Sequence, residues 1–484
     1  MIPENRKVQL PELTISLLRE DRSDAAVDDI AVPQCYGVNQ TVLNCCLAAA
    51  FNAVIGGFSI GGFSGTIYVL SNEFKFTIFQ TSALVSVLNL AAVIGSFFCG
   101  AVCDRYGRIR GFGVAISLFF LGSIIMVSSS SFYHLLLGRI VSGLGLGVCF
   151  TVVPLYVCEM SPKNHRGIFG SMKEIAINVG IILGYLSSWI FSGMQSSGSW
   201  RYMMSLGLIL PPVMAVLCIY IMEESPRYLV MKGDFLRARA ILLKVTGDEK
   251  AADTAFRDIQ TALENEGAYE NFPLKSILTG RTTPTLRRIF FIVIVVAMCQ
   301  HLSAVDGILS YLPFALKAAG MSKQESYGHQ LVLGIIKVTT LFPSMFLSDR
   351  VGRRPLLFSS VVGLVMAYGL ISYGAFSKVV NLQIIGLYMF SCAFSIGIGP
   401  VTWLILPELL PLRVRASGMR IAVSLNRIVS FTSEVAFLPL ISALSVGATY
   451  ASLCLFMLLY AIFIYVYLPE TKGIQLERMQ EIFK

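Results

Sequence analysis

Ionisable side chains lie inside stretches of this sequence that are otherwise apolar. The segment LGIIKVTTLFP, residues 333–343, carries Lys337 near its centre. Four further ionisable residues have similarly apolar neighbours: Glu174, His301, Asp306 and Arg427. Such groups are costly to bury unless they pair with one another, bind a polar solute or carry protons. We therefore take them as the first candidates for solute binding.

Residue patterns of catalysis do not stand out in the sequence. The four histidines are scattered, and no P-loop, Ser/His/Asp arrangement or metal-ligand spacing is apparent. Most of the eleven cysteines lie within apolar runs, where they act as small hydrophobic residues, and no CxxC pair occurs. We expect no enzymatic activity, no bound metal and no cofactor.

The elements that must position the ionisable residues are long apolar helices. Of the 484 residues, 55 % are hydrophobic and only 14 % are charged, with a mean hydropathy of +0.70. A soluble protein of this size needs far more charged surface. Twelve apolar runs of about 20 residues are long enough to cross a hydrocarbon core of about 30 Å as helices. They are 42–69, 80–102, 111–128, 133–157, 168–191, 202–222, 289–313, 327–347, 356–376, 382–406, 417–441 and 446–468. The predicted fold is an all-α membrane protein with twelve transmembrane helices.

Lys and Arg fall mostly in alternate loops between these spans, as cytoplasmic loops require. We therefore predict that both termini are cytoplasmic and that the protein lies in the plasma membrane. Basic loops beside anionic lipid account for the net charge of +9 without any nucleic acid. The predicted divisions are a cytoplasmic tail (1–40), a six-helix half (41–222), a cytoplasmic linker with amphipathic helices (223–288), a second six-helix half (289–468) and a cytoplasmic tail (469–484).

Three loop motifs occur twice at nearly constant spacing. DRYGR at 104–108 returns 245 residues later as DRVGRR at 349–354. EMSPKNHRG, which begins at 159, is echoed 249 residues later by ELLPLRVRA, and ESPR at 224 is echoed 246 residues later by ETKG. The chain is therefore predicted to contain two homologous halves of six spans, an architecture in which the solute binds between the halves.

These motifs, with GRIVSGLGLG, PLYVCEMSPKNHRG, EESPRYL and PETKG, resemble the sugar porter family of the major facilitator superfamily. That family includes facilitative glucose carriers and insect trehalose carriers. The resemblance extends from about Thr41 to Gly473, with the motifs in the family's order. It implies the major facilitator fold and transport of a sugar or related small polar solute through the bilayer by alternating access.

The repeated loop motifs carry acidic and basic residues together. In the family, they form a latch that locks the two halves together on the cytoplasmic side and releases when the carrier opens inward. The resemblance assigns gating to Asp104, Arg105, Arg108, Arg139, Glu159, Arg166, Asp349, Arg350, Arg353, Glu408 and Arg415. Gly100, Gly107 and Gly352 are expected to permit tight turns and close helix approach.

The family's sugar-binding positions are only partly kept. Neutral amides and an indole suit a hexose, because its hydroxyls both donate and accept hydrogen bonds. The resemblance assigns solute binding to Glu174, Gln300, His301, Asp306, Lys337, Trp403, Asn426 and Arg427. Gln300, Trp403 and Asn426 match the family; an amide is replaced at Glu174, His301, Asp306 and Lys337, and an indole at Arg427.

Span one bears on energy coupling. Proton-coupled members of the family have an aspartate where this sequence has Ser59, and the arginine of span four that accompanies it is Arg139. Serine does not titrate, so facilitated diffusion, or uniport, is predicted. Glu174 and Asp306 remain as alternative proton carriers.

Lys337 lies too deep to lift its charge to the membrane surface. It is about 18 Å along the helix from Asp349, beyond the reach of a side chain. One explanation is an internal network of ion pairs, with Lys337 facing Glu174. Another is a cavity that binds a charged solute, or a sugar through charge-assisted hydrogen bonds. A third is a transport-inactive, receptor-like protein in which the charges lock one state.

Overall fold

The structure is a computed structural model that describes residues 34–35, 38–161, 166–194, 198–266, 284–410 and 412–472. Within these residues the chain is helical apart from a short antiparallel bridge between β1 (Gln34–Cys35) and β2 (Val38–Asn39). Twelve stretches of the described chain are long and apolar enough to cross a membrane. They confirm the predicted all-α membrane fold.

Six helices form the first half, and polar caps mark where several of them begin. Asn39 accepts a hydrogen bond at the start of the first helix, and Thr77 and Gln80 form a capping box on the second. The helices are α1 (Gln40–Glu73), α2 (Ile78–Tyr106), α3 (Arg108–Val127), α4 (Phe132–Met160), α5 (Arg166–Phe191) and α6 (Ser199–Ile221).

The linker contains three short helices, two of which lie in the segments predicted to be amphipathic. They are α7 (Pro226–Lys232), α8 (Phe235–Thr246) and α9 (Glu249–Glu266). Arg239 Nε donates to Asp253 Oδ1 at 2.7 Å and joins α8 to α9. This hydrogen bond lowers the pKa of Asp253 and raises that of Arg239.

The second half also has six spans, but two of them consist of two helices each. Its helices are α10 (Pro284–Leu302), α11 (Val305–Ala318), α12 (Lys323–Val351), α13 (Arg353–Phe376), α14 (Val380–Ile396), α15 (Ile398–Leu409), α16 (Leu412–Leu444) and α17 (Val446–Tyr467). Span seven is broken at Ala304, which has a positive φ of 59°, and span ten is broken at Gly397. Sequence analysis predicted both as unbroken runs, because the residues on either side of each break are apolar.

The two halves meet through three helix pairs: α1 with α11, α2 with α16, and α5 with α12. Hydrogen bonds join them near the carboxyl end of α1. Ser64 Oγ donates to Leu309 O at 2.7 Å, and Tyr327 Oη donates to Gly65 O at 2.6 Å. Gln330 Nε2 donates to Ser64 Oγ at 2.7 Å. These contacts close the bundle on the side opposite to the linker helices.

Candidate functional site

The break in span seven brings three predicted binding residues to one level of the bundle. Gln300 and His301 lie in the last turn of α10, and Asp306 lies in the first turn of α11. A carboxylate in the first turn of a helix is favoured by the helix dipole. The motif QHLSAVD therefore places its polar side chains around an interruption in the helix.

Gln300 and Asn426 hold each other by hydrogen bonds in the interior of the second half. Asn426 Nδ2 donates to Gln300 Oε1 at 2.9 Å and to Ala297 O at 2.8 Å. Gln300 Nε2 donates to Gly399 O at 3.0 Å. Both side chains are buried. This amide pair connects α10, α15 and α16.

A chain of polar contacts runs from Asn426 to Asp306. Arg427 donates from Nε and one terminal nitrogen to Asn426 Oδ1 at 3.2 and 3.0 Å, and that terminal nitrogen lies 3.1 Å from His301 Nε2. Because arginine has only donors, His301 Nε2 must accept, and the proton of the neutral ring lies on Nδ1. That Nδ1 is 2.5 Å from Asp306 Oδ2, to which Ser430 Oγ also donates at 2.6 Å. His301 and Ser430 therefore satisfy the Asp306 carboxylate.

Lys337 faces an aromatic ring instead of a carboxylate. Its Nζ lies 5.6 Å from the centroid of Phe394 in α14, within the range of a cation–π contact. It forms no ion pair with a described residue, and the charges of Glu174 and Asp306 act on it from farther away. The prediction that Lys337 pairs directly with Glu174 is therefore wrong. The reason is the rotation of α12, which packs on α5 at Gly334 and turns Lys337 towards α14.

Lys173 belongs to the same site, although sequence analysis did not select it. Its Nζ lies 5.3 Å from the centroid of Phe150 in α4, and Arg427 Cζ lies 5.5 Å from the centroid of the same ring. One aromatic side chain therefore brings together cations from both halves. The signal for Lys173 was available, because it is a charged residue within predicted span five.

Glu174 influences several cations without pairing with any of them. Its charge acts on Lys173, Lys337 and Arg427. With the described residues, its carboxylate forms neither a hydrogen bond nor an ion pair. Glu174 is therefore a counter-charge that three cations share.

Glu434 is a buried carboxylate that bridges the halves and was also missed as a site residue. Its side chain is 4 % exposed. Asn89 Nδ2 of α2 and Ser310 Oγ of α11 each donate to it at 2.9 Å. It lines a small cavity of about 40 Å³ to which Asp306 and Arg427 also contribute.

Arg139 lies beside this cavity and not at the loop motifs, where most of the predicted gating residues lie. Its guanidinium donates to Leu84 O at 3.0 Å and to Ser59 O and Val85 O at 2.9 Å each. It also lies 4.0 Å from the centroid of Phe63. Backbone carbonyls therefore supply all the hydrogen bonds that the structure gives to this buried cation.

Trp403, the predicted indole of the site, lies in α15 and is partly buried against the core of the second half. Its N–H makes no hydrogen bond to a described residue. Trp403 thus differs from Gln300 and Asn426, whose polar atoms are largely occupied by protein partners.

The predicted gating motif of the first half forms a buried ion pair. Arg108 donates to Glu159 through Nε at 2.9 Å and a terminal nitrogen at 2.8 Å, and the two side chains are 3 % and 4 % exposed. Asp104 lies 3.6 Å from the same guanidinium. The Glu224 carboxylate accepts from the backbone N–H groups of Arg108 and Ile109 at the start of α3.

The second half repeats this arrangement with less burial. Arg353 lies 3.2 Å from Glu408, with side chains 17 % and 24 % exposed. The Glu470 carboxylate accepts from the backbone N–H groups of Arg353 and Arg354 at the start of α13. The loop repeat found in the sequence therefore corresponds to a repeated structure.

Each of these ion pairs lies within one half. The expectation that they lock the halves together is therefore wrong for Arg108–Glu159 and Arg353–Glu408 in this conformation. The reason is that each pair joins ends of helices that belong to the same repeat. Gly100 also departs from expectation, since a Cβ there would meet only open space.

The remaining predicted gating residues lie at the ends of these helices or outside the described part of the structure. Arg105 lies over its neighbour Tyr106, at 5.2 Å from the ring centroid. The Arg350 carbonyl accepts from Lys472 Nζ at 2.6 Å. The side chains of Arg166, Asp349 and Arg415 lie outside the described residues.

Comparison with known proteins identifies the family. A family profile described as "Sugar (and other) transporter" matches residues 45–483. The chain belongs to the sugar porter family of the major facilitator superfamily. Its relatives in this family are transporters, so the chain is a multi-pass membrane transport protein and not an enzyme.

Similar chains within the family are named for several solutes. The chain is 32 % identical over 480 residues to "Probable polyol transporter 6" of Arabidopsis thaliana, covering 94 % of this chain and 97 % of that protein. It is 29 % identical to a "Glucose transport protein" of Synechocystis, covering 89 % and 95 % of the two chains.

Solved structures of the family share the fold. The inward-open conformation of the xylose transporter XylE from E. coli superposes with a TM-score of 0.78 at 20 % identity, covering 92 % of this chain and all of that one. A structure titled as the proton:xylose symporter XylE bound to 6-bromo-6-deoxy-D-glucose gives a TM-score of 0.75 at 21 % identity, covering 92 % and 99 %. Family membership therefore agrees with the fold.

Proposed function

We propose that this protein is a facilitative uniporter of a sugar or polyol, which it moves by alternating access between its two halves. Relatives named as polyol and glucose transporters support this solute class. The predicted binding residues that lie around the breaks in spans seven and ten, and on α16 beside them, support a solute site between the halves.

The retained neutral residues suit a polyhydroxylated solute. Gln300 and Asn426 satisfy each other through an amide hydrogen bond of 2.9 Å. A solute hydroxyl can replace either amide as donor and acceptor, so a buried polar atom need not lose its partner when the solute leaves. The Trp403 N–H adds a donor that the described protein groups do not use.

The hydrogen bonding of Arg139 carries the uniport part of the proposal. Its printed partners are backbone carbonyls, and the one on α1 belongs to Ser59. Neither a carbonyl nor a serine hydroxyl gains or loses a proton near neutral pH. The span-one position that couples protons in the family therefore has no titrating group here.

Glu434 favours a second candidate function, proton-coupled transport. Its carboxylate accepts hydrogen bonds from Asn89 in the first half and Ser310 in the second, so movement of the halves would change its surroundings. A buried carboxylate whose partners change during the cycle can couple proton movement to transport.

We further propose that both termini face the cytoplasm, that the protein lies in the plasma membrane, and that Arg108–Glu159 and Arg353–Glu408 act in gating. In that orientation the contacts of Ser64 with Leu309 close the outer side. The structure then corresponds to a carrier whose halves are joined outside.

Uptake into proteoliposomes tests the function. Purified protein should equilibrate labelled glucose, xylose or sorbitol with saturable kinetics and without accumulation, and an inward proton gradient should leave the final level unchanged. Accumulation above equilibrium that depends on the gradient and is lost in Glu434→Gln would establish the proton-coupled alternative instead. An absence of saturable flux for every sugar, polyol and sugar acid would favour a transport-inactive, receptor-like protein.

A further inference from the structure

We infer that the solute carries a negative charge beside its hydroxyl groups, as a sugar acid does. This inference rests on the proposed transport function and narrows its substrate class. It comes from the balance of charges between the halves, where three cations share one carboxylate.

Several charges of the site already have partners. Arg139 donates to backbone carbonyls, and Glu434 accepts from Asn89 and Ser310. Asp306 is met by His301 and by the Ser430 hydroxyl. These groups need no further ligand in this conformation.

The charges that remain are unequal. Lys173, Lys337 and Arg427 have no ion pair with a described residue, and the only carboxylate of the site without its own hydrogen bonds is Glu174. The charge of Glu174 acts on all three cations. Three positive charges against one negative charge leave a surplus of about two.

Aromatic contacts alone do not compensate for this surplus. Lys337 lies over Phe394, and Lys173 and Arg427 both lie over Phe150. A cation–π contact contributes about 0.5–2 kcal/mol, whereas the burial of an unpaired ion costs several kcal/mol. Two cations that share one ring also repel each other. An anion in the cavity would relieve both costs.

The donors that remain open suit a carboxylate. A lysine ammonium offers three N–H donors, and the structure shows no hydrogen bond from Nζ of Lys173 or Lys337 to a described residue. Arg427 binds Asn426 and His301 through Nε and one terminal nitrogen, which leaves the other terminal nitrogen open. Charge-assisted hydrogen bonds from such groups to a carboxylate are stronger than neutral ones.

The hydroxyl-binding groups lie next to these cations. Asn426 contacts Arg427 through its Oδ1 and Gln300 through its Nδ2. A solute whose carboxylate binds the cations therefore reaches the amide pair with its nearest hydroxyls. Aldonates and uronates have this arrangement of one carboxylate and a chain or ring of hydroxyls.

Sorbitol and gluconate form a matched pair of solutes for the test, because they share the six-carbon chain and differ at one end, where gluconate has the carboxylate. We expect wild-type protein in proteoliposomes to transport gluconate with a kcat/KM about 10-fold or more above that for sorbitol, since a charge-assisted hydrogen bond contributes about 1.5–3 kcal/mol. Lys337→Met and Lys173→Met should each reduce the gluconate-to-sorbitol ratio by about 10-fold. Lys323→Met, at the far end of α12, is the control and should keep the wild-type ratio.

The outcomes separate the inference from the proposed function. Saturable sorbitol transport with equal or slower gluconate transport would overturn the negatively charged solute and leave the uniporter standing. A gluconate preference that neither lysine variant reduces would overturn the assigned cations. Failure to transport either solute, or any other sugar, polyol or sugar acid, would overturn the transport proposal itself.

Discussion

Lys173 and Arg427 belong to different halves of the molecule and face the same aromatic ring, Phe150. Their cationic groups lie 5.3 and 5.5 Å from its centroid. The shared ring makes the relative position of the halves sensitive to charge, because like charges are held close together across the interface. Glu174 is the acidic neighbour that offsets this repulsion.

The first prediction concerns this offset. Glu174→Gln removes the shared counter-charge and should destabilise the ligand-free protein, with a loss of about 1 kcal/mol lowering the thermal midpoint by about 2 °C or more. Lys173→Met removes one of the repelling charges and should leave the midpoint unchanged or raise it. Thermal unfolding in detergent measures both variants. Equal destabilisation by the two changes would mean that Lys173 and Glu174 act as a simple pair.

The second prediction compares the two loop ion pairs. Glu159→Gln breaks a two-bond contact whose side chains are 3 % and 4 % exposed, and should cost about 3–5 kcal/mol because Arg108 stays buried. Glu408→Gln changes the corresponding contact, which is 17 % and 24 % exposed, and should cost about 1–2 kcal/mol. Thermal midpoints and folded yield rank the variants. The reverse ranking would contradict the role assigned to burial.

The third prediction concerns the turn before α13. Gly352 has a φ of +106°, and an added Cβ would lie 2.8 Å from Glu470 Oε2. Gly352→Ala should therefore cost about 1–3 kcal/mol through backbone strain and disturb the Glu470 cap. Gly100→Ala is the matched control, since its Cβ would meet open space within a helix, where alanine is favoured by about 0.5–1 kcal/mol. If both variants unfold at the same temperature, the turn does not require glycine.

Sequence reasoning predicted the number of spans and the loop repeat because both depend on periodicity along the chain. Hydrophobic length predicts where a helix crosses, and a constant spacing predicts equivalent loops. Depth along a helix also follows from the residue number, so Lys337 was correctly placed far from the end of its span. Its partner could not be predicted in this way, since the packing of Gly334 on α5 sets the rotation of α12.

The breaks in spans seven and ten were missed for a different reason. The residues around Ala304 and Gly397 are apolar and give the same signal as a continuous helix. Lys173 and Glu434 were missed because attention to family sugar positions favoured residues at those positions. Their partners, Phe150 and Asn89, are ordinary apolar and amide residues that become informative only when the helices are assembled.

The broken spans divide the work of the two halves unequally. Spans one and four, which correspond by the repeat to the broken spans seven and ten, are single helices in the first half, α1 and α4. Helix ends at Ala304 and Gly397 can bend without loss of a continuous hydrogen-bond ladder. The second half can therefore adjust its shape around the solute, whereas the first half moves as a rigid body that provides the opposing wall.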